Sequence, residues 1–286
     1  MSGKKVLVTG AKGMLGSCIV KHLTSYNVIG LQSSLDIQNY KKVLEILKVE
    51  SPDIIIHTAA FTNVEECEQE KDKAYKINTL GTQNLVNYCI NKDILFIYIS
   101  STGVYGTQKQ SNYTEFDIPQ PTTVHHKSKY EGEKVVQNHL QKFLILRTGW
   151  LYGGEKEHQK NFVYKRYLEA KNKSIIYSDN SQIGNPTYIK EFVQQIKILI
   201  EENQYGIFNC VNSAENISRF DYVSKIIEFF DSNSDVKVAP PKMFNRIAPV
   251  SWNESALNYK LNLLGLNTMS KWDLALKNYI SELQNG

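Results

Sequence analysis

Short apolar runs and longer stretches of helical spacing alternate through the first half of the chain. Five runs, at 4–9 (KKVLVT), 27–32 (NVIGLQ), 53–57 (DIIIH), 94–99 (ILFIYI) and 143–147 (FLILR), are compact, apolar and rich in β-branched or aromatic residues, which predicts strands. Between them apolar residues recur three and four apart over about 14–25, 39–49, 71–91 and 126–140, which predicts helices. Such alternation builds a parallel sheet covered by helices on both faces, so the expected fold is α/β and doubly wound. Past residue 150 the alternation becomes irregular, with helices predicted at 159–171, 188–202, 218–231 and 270–284 between the turn-rich joints SDNSQIGNPT and APPKMFNRIAPVSWNES. The expected division is a sheet domain over 1–150 and, over 151–286, mainly a smaller α/β lobe capping the sheet's carboxyl edge, with some segments returning to the first domain.

Composition narrows the class. At 286 residues and 42% hydrophobic content the chain can bury a substantial core. The formal charge of +4 is spread without a Lys/Arg block, which suits a small anionic ligand and gives no nucleic-acid surface. Runs such as ILFIYI are far shorter than the roughly 20 residues a membrane helix needs. Cys18, Cys67, Cys89 and Cys210 show no ligand spacing, so no metal site is expected. With no signal peptide ahead of KVLVTG, a reducing, cytoplasmic setting is expected.

Directly after the first strand comes TGAKGMLG, residues 9–16, with glycines at 10, 13 and 16 and a helical pattern starting inside it. Missing side chains let backbone N–H groups at a helix start approach a pyrophosphate, and the helix dipole favours the anion. Strand, glycines and helix stand in the order of a Rossmann-like dinucleotide site, although the spacing departs from G-x-G-x-x-G. Gly10, Lys12, Gly13, Met14 and Leu15 are the candidate cradle. The second strand ends GLQSS, so Gln32, Ser33 and Ser34 stand where an acidic residue would select NAD; with Lys12 this tilts the choice towards NADP(H), and NAD stays open.

The N-terminal T-G-A-x-G-x-L-G resembles the extended short-chain dehydrogenase/reductases. LDI (35–37), HTAAFTNVEECE (57–68), INTLGTQNL (77–85), RTGWLYG (147–153), QIGNPT (182–187) and SALNYKL (255–261) narrow the resemblance to the dTDP-4-dehydrorhamnose reductase branch, over nearly the whole chain. The resemblance implies an NAD(P)H-dependent reductase of a nucleotide-linked keto-sugar, of the 4-keto-6-deoxy type, in surface glycan biosynthesis. It places Asp36 and Ile37 beside the adenine, Ala59 and Ala60 along the path to nicotinamide, and Thr148 and Trp150 near nicotinamide and sugar. Phe61, Thr62, Thr102, Tyr105, Asn161, Phe162 and Gln182 become candidates for the substrate side. A nucleotide-sugar epimerase and a non-catalytic, dinucleotide-binding partner subunit are the alternatives, and a homodimer is left open.

Reducing a ketone requires a group that polarises the carbonyl, an acid for the alkoxide, and a cation that holds the cofactor. In the family a Ser or Thr, a Tyr and a Lys do this. ISSTGVYG (99–106) offers Ser101 at a strand end, while PTTVHHKSKYEGEK (121–134) offers Lys129 with His125 four residues earlier, where the family has its tyrosine. On a helix that spacing puts both side chains on one face. His125 is read as the acid itself, as an assistant to Tyr105, His126 or water, as the mark of lost chemistry, or as a spacer. A dehydratase is disfavoured because Thr102 and Gly103 stand where an acidic pair would be needed. Where the family has Arg-Pro ahead of S-x-L-N, this chain has PVSWNESALN; Arg246 lies near enough in sequence to replace the missing cation.

Overall fold

The structure, a computed structural model, describes residues 3–31, 36–156, 158–240 and 243–285. In chain order the elements are β1 (Lys5–Thr9), α1 (Met14–His22), β2 (Asn27–Gly30), α2 (Tyr40–Glu50), β3 (Ile54–His57), α3 (Val64–Gln69), α4 (Lys71–Tyr75), α5 (Gly81–Cys89), β4 (Leu95–Ser101), α6 (Val124–His139) and β5 (Phe143–Thr148). There follow β6 (Leu151–Tyr152), α7 (Phe162–Asn172), β7 (Ile175–Ser178), β8 (Thr187–Tyr188), α8 (Ile189–Glu201), β9 (Gly206–Asn209), α9 (Arg219–Phe229), β10 (Asp235–Val238), α10 (Tyr259–Leu263) and α11 (Trp272–Asn285). A π-helical turn, Lys76–Leu80, joins α4 to α5, so the one helix expected over 71–91 is a continuous path with a bulge in its middle.

Six strands form one parallel sheet in the order β2-β1-β3-β4-β5-β9. Strand side chains alternate between faces, and both faces are dry. Val6, Val8, Ile54, Ile56, Ile97, Ile99, Leu144 and Leu146 enter one cluster with α1, α8 and the C-terminal helices. Leu7, Ile55, Phe96, Tyr98 and Ile145, from the same strands, enter another with α2, α5 and α6. Two-sided burial is why these strands read as unbroken apolar runs.

The C-terminal half adds two small parallel pairs, β6 with β8 and β7 with β10, and returns β9 to the edge of the main sheet. The chain reverses strand order between β1 and β3, where a doubly wound sheet opens a crevice at its carboxyl edge. The glycine turn and the ends of β3 and β4 all face that edge.

Candidate active site

The glycine turn has the shape a dinucleotide requires. Gly10 has φ +69, and a Cβ there would lie 2.8 Å from the backbone N of Ala59. A Cβ on Gly16 would meet the Gly10 carbonyl oxygen at 2.2 Å, so α1 packs against its own turn only because both residues are glycine. Gly13 caps α1 with extended backbone and no side-chain hydrogen bond, which leaves the first N–H groups of the helix free for an anion. These features fit a pyrophosphate. Lys12 is exposed, and Gln32 and Ser33 lie outside the described residues. Ile37 packs on Gly81, while the Asp36 carboxylate accepts the Gln38 backbone N–H at 3.0 Å.

At the floor, β4 ends on Ser101, whose Oγ accepts the Gly103 N–H at 3.2 Å. His125 is the second residue of α6, where Thr123 caps the helix by accepting the His126 N–H. His125 Nδ1 lies 3.0 Å from the Phe61 carbonyl oxygen. A carbonyl only accepts, so Nδ1 carries the hydrogen and the neutral ring presents a lone pair at Nε2. Asn78, in the π-helical turn, fixes that carbonyl: its amide accepts the Phe61 N–H at 2.8 Å and donates to the Phe61 oxygen at 3.0 Å and to Ser128 Oγ at 2.9 Å. Burial, then the neighbouring His126 and Lys129, hold the His125 pKa well below the usual imidazole value.

Lys129 is buried with Nζ 3.9 Å from the centre of the Tyr98 ring. Burial lowers its pKa to about 7 against the opposing pull of Glu133. Glu133 in turn accepts from Ser100 Oγ at 2.5 Å and from Arg147 at 3.0 and 2.6 Å, a fully buried ion pair tying α6 to β4 and β5.

A cleft of about 480 Å³ opens above Ser101, His125 and His126, with Trp150, Gln182 and Arg219 on its far wall. Trp150 has φ 42, an uncommon backbone state for a bulky residue and one often kept at functional sites. Its indole Nε1 donates to Glu254 at 3.0 Å, the Arg219 guanidinium stacks 3.5 Å from its ring centre, and a Cβ on Gly184 would come within 2.5 Å of Cε2. Thus QIGNPT is shaped around the indole. Across the mouth, Glu65 of α3 accepts the N–H groups of Ile247 and Ala248 at 2.7 and 3.2 Å.

Several residues expected at the site stand elsewhere. Tyr105 is fully buried, its hydroxyl donating to Asn209 at 2.7 Å and its ring stacked on Tyr113, so it does not reach the cleft as an acid or a contact. Thr102 points into the interior with Oγ1 beside Gly149, and Asn161 is the buried cap of α7, bonded to Tyr279. Phe162 stacks on Tyr222, and Thr62 accepts from Lys160. Phe61 acts through its backbone, while Thr148, buried beside Ser101, has no partner for Oγ1 among the described residues. Asn78, Arg219 and Glu254 were not singled out from sequence. Asn78 lies inside INTLGTQNL, the one available signal; Arg219 and Glu254 reach the cleft only through tertiary packing.

The RmlD substrate binding domain model matches residues 4–285. A dTDP-4-dehydrorhamnose reductase from Aggregatibacter actinomycetemcomitans is 32% identical, over 96% of this chain and 97% of that protein. The structure of dTDP-4-dehydrorhamnose reductase from Bacillus anthracis in complex with NADP superposes with TM-score 0.93 at 30% identity, covering 98% of this chain and 99% of the other. Methionine adenosyltransferase 2 subunit beta of Xenopus tropicalis is 29% identical over 66% of this chain and 60% of its own length.

Proposed function

The chain belongs to the RmlD substrate binding domain family, and from that membership we propose that it is an NADP(H)-dependent reductase of a nucleotide-linked 4-keto-6-deoxy sugar in surface glycan biosynthesis. The observation that carries the reading is Ser101 and His125 lining one cleft, with buried Lys129 one helical turn after His125 on α6, together with a glycine-built helix N-terminus whose first N–H groups are open. NADPH, when bound, supplies the hydride. Gly10, Gly13 and the first turn of α1 would hold its pyrophosphate, and the Lys129 ammonium its ribose. Ser101 Oγ would donate to the keto oxygen and stabilise the charge that develops there. His125 would protonate the alkoxide from Nε2, which requires the imidazolium, a minor form at neutral pH in this buried setting. Phe61 and Asn78 hold the ring so that Nε2 is the nitrogen left for substrate. The four free cysteines are buried, which supports a reducing, cytoplasmic location.

A second reading, a dinucleotide-binding partner subunit, is favoured by one observation: neutral His125 offers an acceptor where the family's tyrosine offers a donor. Incubation of the protein with NADPH and a panel of nucleotide-linked 4-keto-6-deoxy sugars, followed by loss of NADPH absorbance, separates the two. Turnover excludes the partner subunit; NADPH binding without turnover on any sugar excludes the reductase.

A further inference from the structure

We propose that Arg219 is the residue that binds the diphosphate of the nucleotide sugar; the inference rests on the reductase reading above. Two guanidinium groups line the cleft, those of Arg219 and Arg246. Arg246 is exposed and makes one long contact, 3.5 Å to Gln182. Arg219 is partly buried and held over Trp150, its guanidinium carbon 3.5 Å from the ring centre, with the Phe162 ring at 5.8 Å.

Arginine ion pairs among the described residues are those of Arg147 and Arg166, so Arg219 has no carboxylate within ion-pairing distance. Glu254 acts on it from farther away while accepting the Trp150 indole N–H. Burial lowers the Arg219 pKa to about 10, which still leaves it charged at neutral pH. A cation drawn from water without a partner is costly, and an anion entering the cleft offsets that cost. The planar fork of a guanidinium matches two phosphate oxygens at once, and stacking on an indole fixes its plane before the ligand arrives.

The segment that departs from the family pattern supplies no rival. Asn253 donates to the carbonyls of Lys109 and Ser111 at 2.7 and 3.1 Å and accepts the Ser255 N–H at 2.9 Å, so its amide is occupied in holding the loop. Arg219 instead enters the cleft from the first turn of α9, whose Ser218–Asp221 capping box fixes where the side chain starts.

The test is calorimetric titration of the NADPH-loaded protein with dTDP, UDP and GDP and with the matching nucleosides. Arg219→Met keeps much of the stem that packs on Trp150 and removes the charge. It should weaken the best nucleoside diphosphate about tenfold or more, the loss of a charge-assisted hydrogen bond, while nucleoside and NADPH affinities stay within about twofold. Arg219→Lys, with charge but no fork, should fall between, and it carries the test if the methionine variant does not fold. Diphosphate affinity equal to the unsubstituted protein in the folded variant overturns the role of Arg219, all the more if Arg246→Met takes the loss. If the unsubstituted protein binds none of the three diphosphates, the nucleotide-sugar reading falls as well, so the two failures are distinct.

Discussion

Replacing Glu133 with glutamine keeps the shape of the side chain and removes its charge. Glu133 is fully buried, and its carboxylate receives one hydrogen bond from Ser100 and two from Arg147, itself 2% exposed. Arg147 stays protonated, because Glu133 and the Tyr105 hydroxyl raise its pKa against burial. The Glu133→Gln variant would leave that cation with a neutral amide oxygen and the Tyr105 ring, 4.9 Å away, in place of a carboxylate. Breaking a buried pair on one side costs about 3–5 kcal/mol. For a chain of this size that is a fall in Tm of roughly 6–10 °C, measurable by scanning calorimetry. There is a second readout, because Glu133 also raises the Lys129 pKa. Without Glu133 the pKa drops below about 7, the charged form survives only at lower pH, and NADPH should bind more weakly at pH 7. Removing both partners, Glu133→Leu with Arg147→Met, should recover most of the stability, since no orphan charge remains. A Glu133→Gln variant within about 1 kcal/mol of the unsubstituted protein would refute the assignment of this pair as a fixed buried anchor.

Gly13→Asp places a good capping residue at the start of α1, where a Cβ meets only the Gly10 oxygen at 3.1 Å; thermal stability should hold or rise slightly while NADPH affinity, read by fluorescence titration, is lost to the carboxylate in the pyrophosphate position. If His125 is the proton donor, the reduction rate should climb as pH falls from 8 and keep climbing below the ordinary imidazole range, because the acid form is protonated only below a depressed pKa. His125→Ala should lower kcat much more than it weakens NADPH binding, and a flat pH–rate profile in both proteins would make His125 a spacer. Gly184→Ala should displace the Trp150 ring and raise KM for the sugar nucleotide several-fold with NADPH affinity unchanged; an unaltered KM would remove Trp150 from the binding wall.

The main sheet was legible because β1, β3, β4 and β5 are buried on both faces and written as unbroken apolar runs, while the edge strand β2, only partly covered, still carries a short apolar run. The later strands were not: β6 and β8 are two residues each, too short for any periodicity to register. Helix α3 escapes the pattern although Asn63 caps it by accepting the Glu66 N–H, since six residues give less than two turns of periodicity. His125 and Lys129 could be paired by spacing alone, since helix geometry is local. Local sequence could not reveal that Tyr105 turns inward against Asn209, 104 positions away. Nor could it show Arg219 lying on Trp150, because a basic residue after a serine cap reads as an ordinary solvated helix start.

The bridge from Glu65 to Ile247 and Ala248 sets a tempo for whatever occupies the cleft. Both N–H groups converge on a single carboxylate oxygen, so the two contacts are lost together when that side chain swings away. The Ile247 contact is exposed and the Ala248 contact only partly buried, so at about 0.5–1.5 kcal/mol for each bond the parted state is outnumbered by roughly one to two powers of ten. A ligand whose exit passes this seam waits on its parting as well as on its own contacts. Residence time would then depend on one glutamate at the mouth of the cleft, and a faster catalyst could be sought at Glu65 without altering the floor of the site.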